Sequence, residues 1–197
     1  MRTILARRCI KAAIGTNAAL LLIAFSVLAP APGAIAEAGI QADRTASKTT
    51  TVIVVRHAEK IDDSRDPALS TAGRERAQAL AEAVEHAGLD AAYASQYQRT
   101  RLTAMPTAAQ AGLTVRTEAI DAEIDSWARA FAVELVRRHP EQSVLVVGHS
   151  NTVPALVSAL CRCEVEPLTE ADYDRLFIVN RAGGDDPALI VARFGAE

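Results

Sequence analysis

Basic runs are missing from this chain beyond Lys11, and that absence narrows the field at once. Removing Arg2, Arg7, Arg8 and Lys11 leaves 17 basic residues against 24 acidic ones, a net charge of −7. A nucleic-acid or anionic-membrane binder needs clustered Lys and Arg, so both classes are excluded. No internal repeat or low-complexity tract is present. Cysteine is scarce, and beyond residue 36 only Cys161 and Cys163 remain. A bridge across so short a spacing is expected to be strained, and the pair is too small for a metal site without His or Cys nearby. An oxidising compartment leaves a bridge within the pair, or between two chains, open. Histidine is limited to four residues, and none follows His149.

Long apolar runs are also few. The longest, Ala18 to Leu28, is too short to span a bilayer comfortably and is broken off by Pro30 and Pro32. With the basic residues before it and the small-x-small site Ala34-Ile35-Ala36 after it, residues 1–36 read as a cleaved secretory signal peptide. The expected location is therefore periplasmic or secreted. Residues 37–50 are polar, Ala/Thr-rich and without an apolar period, which suggests a flexible lead-in. Residues 51–197 are expected to form a single domain, being long enough for one core and too short for a second.

Within that domain, strand-like and helix-like patterns alternate. Thr51 to Val55, Ala91 to Ala94, Leu113 to Thr117 and Ser143 to Val147 are short β-branched or aliphatic runs. Between them, Ala77, Leu80, Ala81 and Val84 recur at helical spacing behind a Ser70-Thr71 cap. A second helix runs to about Gln110, with Pro106 expected to kink it or delay its start. Ala128, Phe131, Ala132 and Leu135 mark a third helix, and Val153 to Leu160 a fourth. Leu176 to Val179 and Ala188 to Arg193 flank Gly183-Gly184-Asp185-Asp186-Pro187, a hairpin pattern. The expected fold is α/β: a three-layer sandwich with a mostly parallel central sheet, an antiparallel edge and helices on both faces.

Two of the buried runs end at histidine, in Val55-Arg56-His57 and Val147-Gly148-His149. Ligands of open α/β sheets sit beyond the carboxyl ends of the strands, so these two ends are the candidate site. Gly148-His149-Ser150-Asn151-Thr152 resembles a nucleophile elbow, but that chemistry needs a later His as base, and there is none. His57-Ala58-Glu59 matches half of a zinc-deaminase signature whose Pro-Cys-x-x-Cys half is absent. Phosphoryl transfer through histidine uses more of the chain. Neutral imidazole attacks phosphorus directly, and Arg56 and Arg99 supply permanent, bidentate cations for the phosphoryl oxygens.

These residues also carry a family resemblance. Arg56-His57-Ala58-Glu59, Leu69-Ser70-Thr71-Ala72-Gly73, the run Ser95, Arg99, Thr103, Ala104, and Gly148-His149-Ser150 resemble, in order, the motifs of the histidine phosphatase superfamily, the phosphoglycerate-mutase-like proteins. The resemblance implies His57 as the phosphorylated nucleophile, a pocket of Arg56, Arg99 and His149, no metal or other cofactor, and a small phosphorylated substrate. Ser150, where the acid-phosphatase branch has Asp, resembles the compact mutase-type branch. That branch carries a catalytic Glu after the third strand, and Glu123 is the first choice here, ahead of Asp121 and Glu118. The expected activity is phosphomonoester hydrolysis; a phosphomutase and a non-catalytic phosphate binder are the rivals. Asn151 is a candidate substrate contact or helix-terminal residue, whereas His86 and His139, near helix ends, are expected to be structural.

Overall fold

The computed structural model describes residues 49–182 and 186–195. The signal peptide expected over 1–36, the lead-in up to residue 48, and the glycines of the hairpin turn lie outside the described residues. The last two lead-in residues do not: Thr49 and Thr50 already belong to the first strand, and Thr50 is buried, its hydroxyl donating to the His139 carbonyl at 2.7 Å.

The elements alternate as β1 (Thr49–Arg56), α1 (Thr71–Ala83), β2 (Leu89–Ala94), α2 (Gln98–Gln110), β3 (Val115–Thr117), α3 (Ile124–Arg138), β4 (Ser143–Gly148) and α4 (Thr152–Cys161). A hairpin of β5 (Arg175–Ala182) and β6 (Ala188–Arg193) closes the chain. They form one six-stranded sheet in the order β3-β2-β4-β1-β5-β6. The pairs among β1 to β4 are parallel, while β5 and β6 add an antiparallel edge.

Strand periodicity explains the three layers. In β1, Val52 and Val54 face a cluster with α3 and α4, whereas Ile53 and Val55 face α1 and α2. In β4, Val144 and Val146 take the first face and Leu145 and Val147 the second. Both strands are thus buried on both sides, which is why they read as unbroken apolar runs and not as alternation.

Two helix starts fix the loops that carry chemistry. Ser70 caps α1, its hydroxyl accepting the Gly73 amide at 3.0 Å. A Cβ on Gly73 would stand 2.1 Å from the Glu59 carbonyl oxygen, so this helix packs onto the loop after His57 only because residue 73 has no side chain. Pro106 does not delay α2, which begins at Gln98. Its opening amide is capped from outside, by Asp66 Oδ1 at 2.7 Å from Gln98 N.

Candidate active site

β1 and β4 are adjacent and in register, so Arg56 pairs with Gly148 and the two following histidines emerge side by side. His57 N donates to the Gly148 carbonyl at 2.9 Å, and the imidazole centroids lie 5.3 Å apart. A Cβ on Gly148 would meet Thr152 Oγ1 at 2.8 Å; glycine there lets α4 start directly behind the strand. Thr152 Oγ1 then accepts the His149 amide at 2.9 Å.

The ring of His57 is oriented by its own loop. Its Nδ1 lies 2.8 Å from the Ala58 carbonyl, which can only accept, so Nδ1 carries the proton and Nε2 keeps its lone pair. Ala58 N donates to Thr103 Oγ1 at 2.9 Å, and Thr103 in turn donates to the Arg99 carbonyl. His149 is held the other way round. Its Nδ1 accepts from the Arg99 guanidinium at 3.3 Å, and its Nε2–H donates to Ser95 Oγ at 2.8 Å. Ser95 and Thr100 hydroxyls continue the chain at 2.9 Å, ending on the Tyr97 carbonyl.

Arg56 is buried, with its guanidinium donating to the Thr169 carbonyl at 2.6 Å and to Glu170 Oε2 at 3.0 Å. The Tyr173 ring lies 4.1 Å beneath it. Two guanidinium nitrogens, Arg56 Nε and one terminal nitrogen of Arg99, are buried without a hydrogen-bond partner. Buried donors of this kind are costly when no partner satisfies them, and the Arg99 nitrogen has only the Asp66 carboxylate facing it, at 3.9 Å. Arg56, His57, Arg99 and His149 together line a cleft of about 450 Å³. Asn151 and Ser150 line the same cleft.

Burial holds both imidazoles neutral. Desolvation first, then the charges of Arg56 and Arg99, pull His57 down to about 4, against the opposing pull of the Ala58 carbonyl. Burial and then the Arg99 charge pull His149 to about 3. The site therefore joins uncharged imidazoles to fixed cations, a combination suited to an anionic electrophile.

Comparison with known proteins meets this geometry. Residues 52–127 match the family model of the histidine phosphatase superfamily, branch 1. The matched segment runs from β1 into α3 and holds Arg56, His57, Ser95 and Arg99, but ends before His149. Over 99 residues it is 34% identical to phosphoserine phosphatase 1 of Hydrogenobacter thermophilus, a match covering 46% of this chain and 47% of that protein. The chain thus spans about half the length of that curated relative. Among solved structures it superposes on a mycobacterial glucosyl-3-phosphoglycerate phosphatase (TM-score 0.61, 17% identity, 76% of this chain and 100% of that one). It also superposes on the protein histidine phosphatase SixA complexed with tungstate (TM-score 0.59, 19% identity, 73% and 96%). At these identities the superpositions establish the shared fold.

The histidine phosphatase motifs converge, but the acid expected at Glu123 does not join them. Glu123 is the exposed N-cap of α3, its carboxylate accepting from Asp125 N and Ser126 N at 3.2 and 3.1 Å. Those amides hold it below the usual carboxylate range, the reverse of what a proton donor needs. Asp121 is exposed. Glu118 is half-buried, outside the lining of the cleft. It lines a small cavity of about 10 Å³ with Ser95, Trp127, Gly148 and Thr152, and burial raises its carboxyl pKa.

Other residues take parts that the sequence did not announce. Glu59, inside the first motif, receives Arg76 at 2.7 Å and ties the loop to α1. Asn151 stands at the N-cap position of α4 yet makes no side-chain cap bond, leaving it exposed at the cleft. Ser95 was visible in the motif run, and the structure shows why it is there. Thr169, Glu170 and Tyr173 come from a patternless segment after α4, and nothing in the sequence pointed to them.

Proposed function

We propose that the protein is a phosphomonoester hydrolase in which His57 is transiently phosphorylated. The observation that carries this is the neutral His57 ring, its Nδ1–H bonded to Ala58, beside two guanidinium groups with buried, unsatisfied donors. In this reading the Nε2 lone pair attacks phosphorus while Arg56, Arg99 and the His149 side chain bind the equatorial oxygens. The leaving oxygen departs with the bond pair and takes a proton from Glu118, whose carboxyl pKa is raised by burial while backbone amides lower that of Glu123. Glu118 then accepts a proton from water as that water attacks phosphohistidine, releasing orthophosphate and restoring the imidazole.

The residues of this scheme call for no metal, and the substrate is a small phosphomonoester reaching His57 through the open cleft. We include export in the proposal, on the strength of the basic, apolar and small-x-small pattern of residues 1–36. Amino-terminal sequencing of the mature protein, beginning at Glu37, would support it.

The test is turnover of p-nitrophenyl phosphate in the presence of EDTA, with orthophosphate counted against phenol. Equal yields support hydrolysis. Phenol released in excess, with phosphate passed to an added alcohol, supports a phosphomutase. Orthophosphate binding without turnover supports a non-catalytic binder.

A further inference from the structure

One feature outside the four motifs reaches into the site from a distance. Cys161, the last residue of α4, is bridged to Cys163, with Cα atoms 5.2 Å apart. Between them Arg162 adopts the left-handed conformation, φ 56° and ψ 34°, at a position with no glycine to favour it. The bridge and this reversal together stop α4 and turn the chain toward the cleft. Only residues 164–168 separate Cys163 from Thr169, and Leu168 anchors that stretch in the core. Asp172 then folds the next turn by accepting Thr169 N at 2.8 Å and Thr169 Oγ1 at 2.6 Å. That turn holds the Arg56 guanidinium through the Thr169 carbonyl, Glu170 and Tyr173.

We propose that the Cys161–Cys163 bridge is a thiol–disulfide exchange site whose redox state sets how firmly residues 163–174 hold Arg56 for the phosphoryl group. The two sulfurs are differently placed for such exchange. Cys163 is exposed, whereas Cys161 is 5% exposed and packs with the core of α4. An incoming thiolate attacks Cys163 Sγ; the S–S bond breaks with its electron pair on Cys161 Sγ. A second thiol resolves the mixed disulfide, so a dithiol reductant gives the bridge two electrons and two protons and becomes a disulfide itself. With the bridge open, Arg162 is no longer constrained to the left-handed region, and the lead into the Thr169–Tyr173 turn loses one of its two anchors.

The prediction for activity rests on the phosphatase reading; the binding measurement does not. The full chain is prepared without reductant and after dithiothreitol, the state of Cys161 and Cys163 is established by alkylation and peptide mapping, and inorganic phosphate is titrated calorimetrically. Reduction should weaken phosphate binding about fivefold or more. Cys163→Ser, a change at an exposed position, should give the weaker value with or without dithiothreitol. For p-nitrophenyl phosphate the change should fall on KM, with kcat held within about twofold. Phosphate affinity following the redox state in a protein that turns over no phosphomonoester would overturn the phosphatase reading and uphold this one. Phosphate affinity unchanged by a mapped reduction, or two free thiols at 161 and 163 in protein never exposed to reductant, would overturn it.

Discussion

His139 and His149 are almost equally buried, 4% and 8% exposed, yet their surroundings differ in kind. Around His139 every polar atom is spent: Nδ1 meets Gln142 Oε1 at 2.7 Å, Nε2 meets the Tyr93 hydroxyl at 2.9 Å, and the backbone carbonyl accepts Thr50. Arg116 also finishes on that tyrosine, at 3.3 Å. Around His149 and His57 the bonds to the protein orient the rings but leave guanidinium donors unsatisfied. A satisfied buried histidine network stabilises a fold. A buried network with cationic donors left over, on residues that line an open cleft, is suited to an anionic ligand.

The sharpest way to break this contrast is to exchange the roles. His57→Ala should abolish p-nitrophenyl phosphate turnover, leaving less than about a hundredth, while thermal unfolding stays near that of the wild type. His139→Ala should do the opposite. It takes the partner from Gln142 Oε1 and one of the partners from the Tyr93 hydroxyl, costing about 1–3 kcal/mol of stability in urea unfolding, with turnover per folded molecule preserved. Turnover lost in His139→Ala at full stability would dissolve the distinction.

The acid offers a second, nearly as large, comparison. Glu118→Gln should slow alkyl phosphates by about 10²–10⁴-fold and p-nitrophenyl phosphate far less, because nitrophenolate departs without a proton. Glu123→Gln should treat both substrates alike, since its bonds are to the backbone of α3. A selective alkyl-phosphate defect in Glu123→Gln would return the role to it.

Smaller effects are expected where charge survives but shape does not. Arg99→Lys keeps the cation and loses the planar fork that reaches both His149 and the cleft, so kcat/KM should fall about tenfold. An unchanged value would remove Arg99 from phosphate binding.

Lowering the pH tests the electrostatic half of the comparison. With His57 pulled to about 4 and His149 to about 3, kcat/KM should show no loss from imidazole protonation near 6.5, only a fall close to 4. Stability changes in the same direction. Unfolded imidazoles titrate near 6.5, so between that value and the folded ones the unfolded chain binds more protons. The contribution is complete above about pH 6.5 and is lost as pH falls toward 4 and then 3. Tm measured from pH 7.5 downward should decline over this window, and less steeply in His57→Ala.

Much of this was legible in the sequence, for identifiable reasons. β1 and β4 are buried on both faces, so their apolar runs stood out, and each stops at the residue that enters the site. Four ordered motifs sit on elements whose register the sheet fixes, and the antiparallel hairpin followed from its turn residues. Glu123 stands out in the sequence because Glu123-Ile124-Asp125 with Trp127 resembles the segment that carries the acid in the mutase-type branch; a carboxylate at a helix start also serves as a cap, and only the direction of Asp125 N and Ser126 N separates the two uses. Glu118 differs from its acidic neighbours in burial, which depends on β2, α3 and α4 and leaves no local mark. Thr169, Glu170 and Tyr173 act through a carbonyl, an exposed carboxylate and a ring face from an irregular segment, where periodicity says nothing.

The central claim, that His57 carries the phosphoryl group, is tested most directly by trapping it. The protein is mixed briefly with ³²P-labelled substrate, quenched in alkali, digested and mapped by mass spectrometry. The account predicts an acid-labile, alkali-stable phosphate on the peptide containing Arg56-His57-Ala58, bonded through Nε2 and absent from His57→Ala. Label on His149 or Ser150, or steady turnover with no phosphoenzyme detectable on a millisecond quench and retained in His57→Ala, would contradict it.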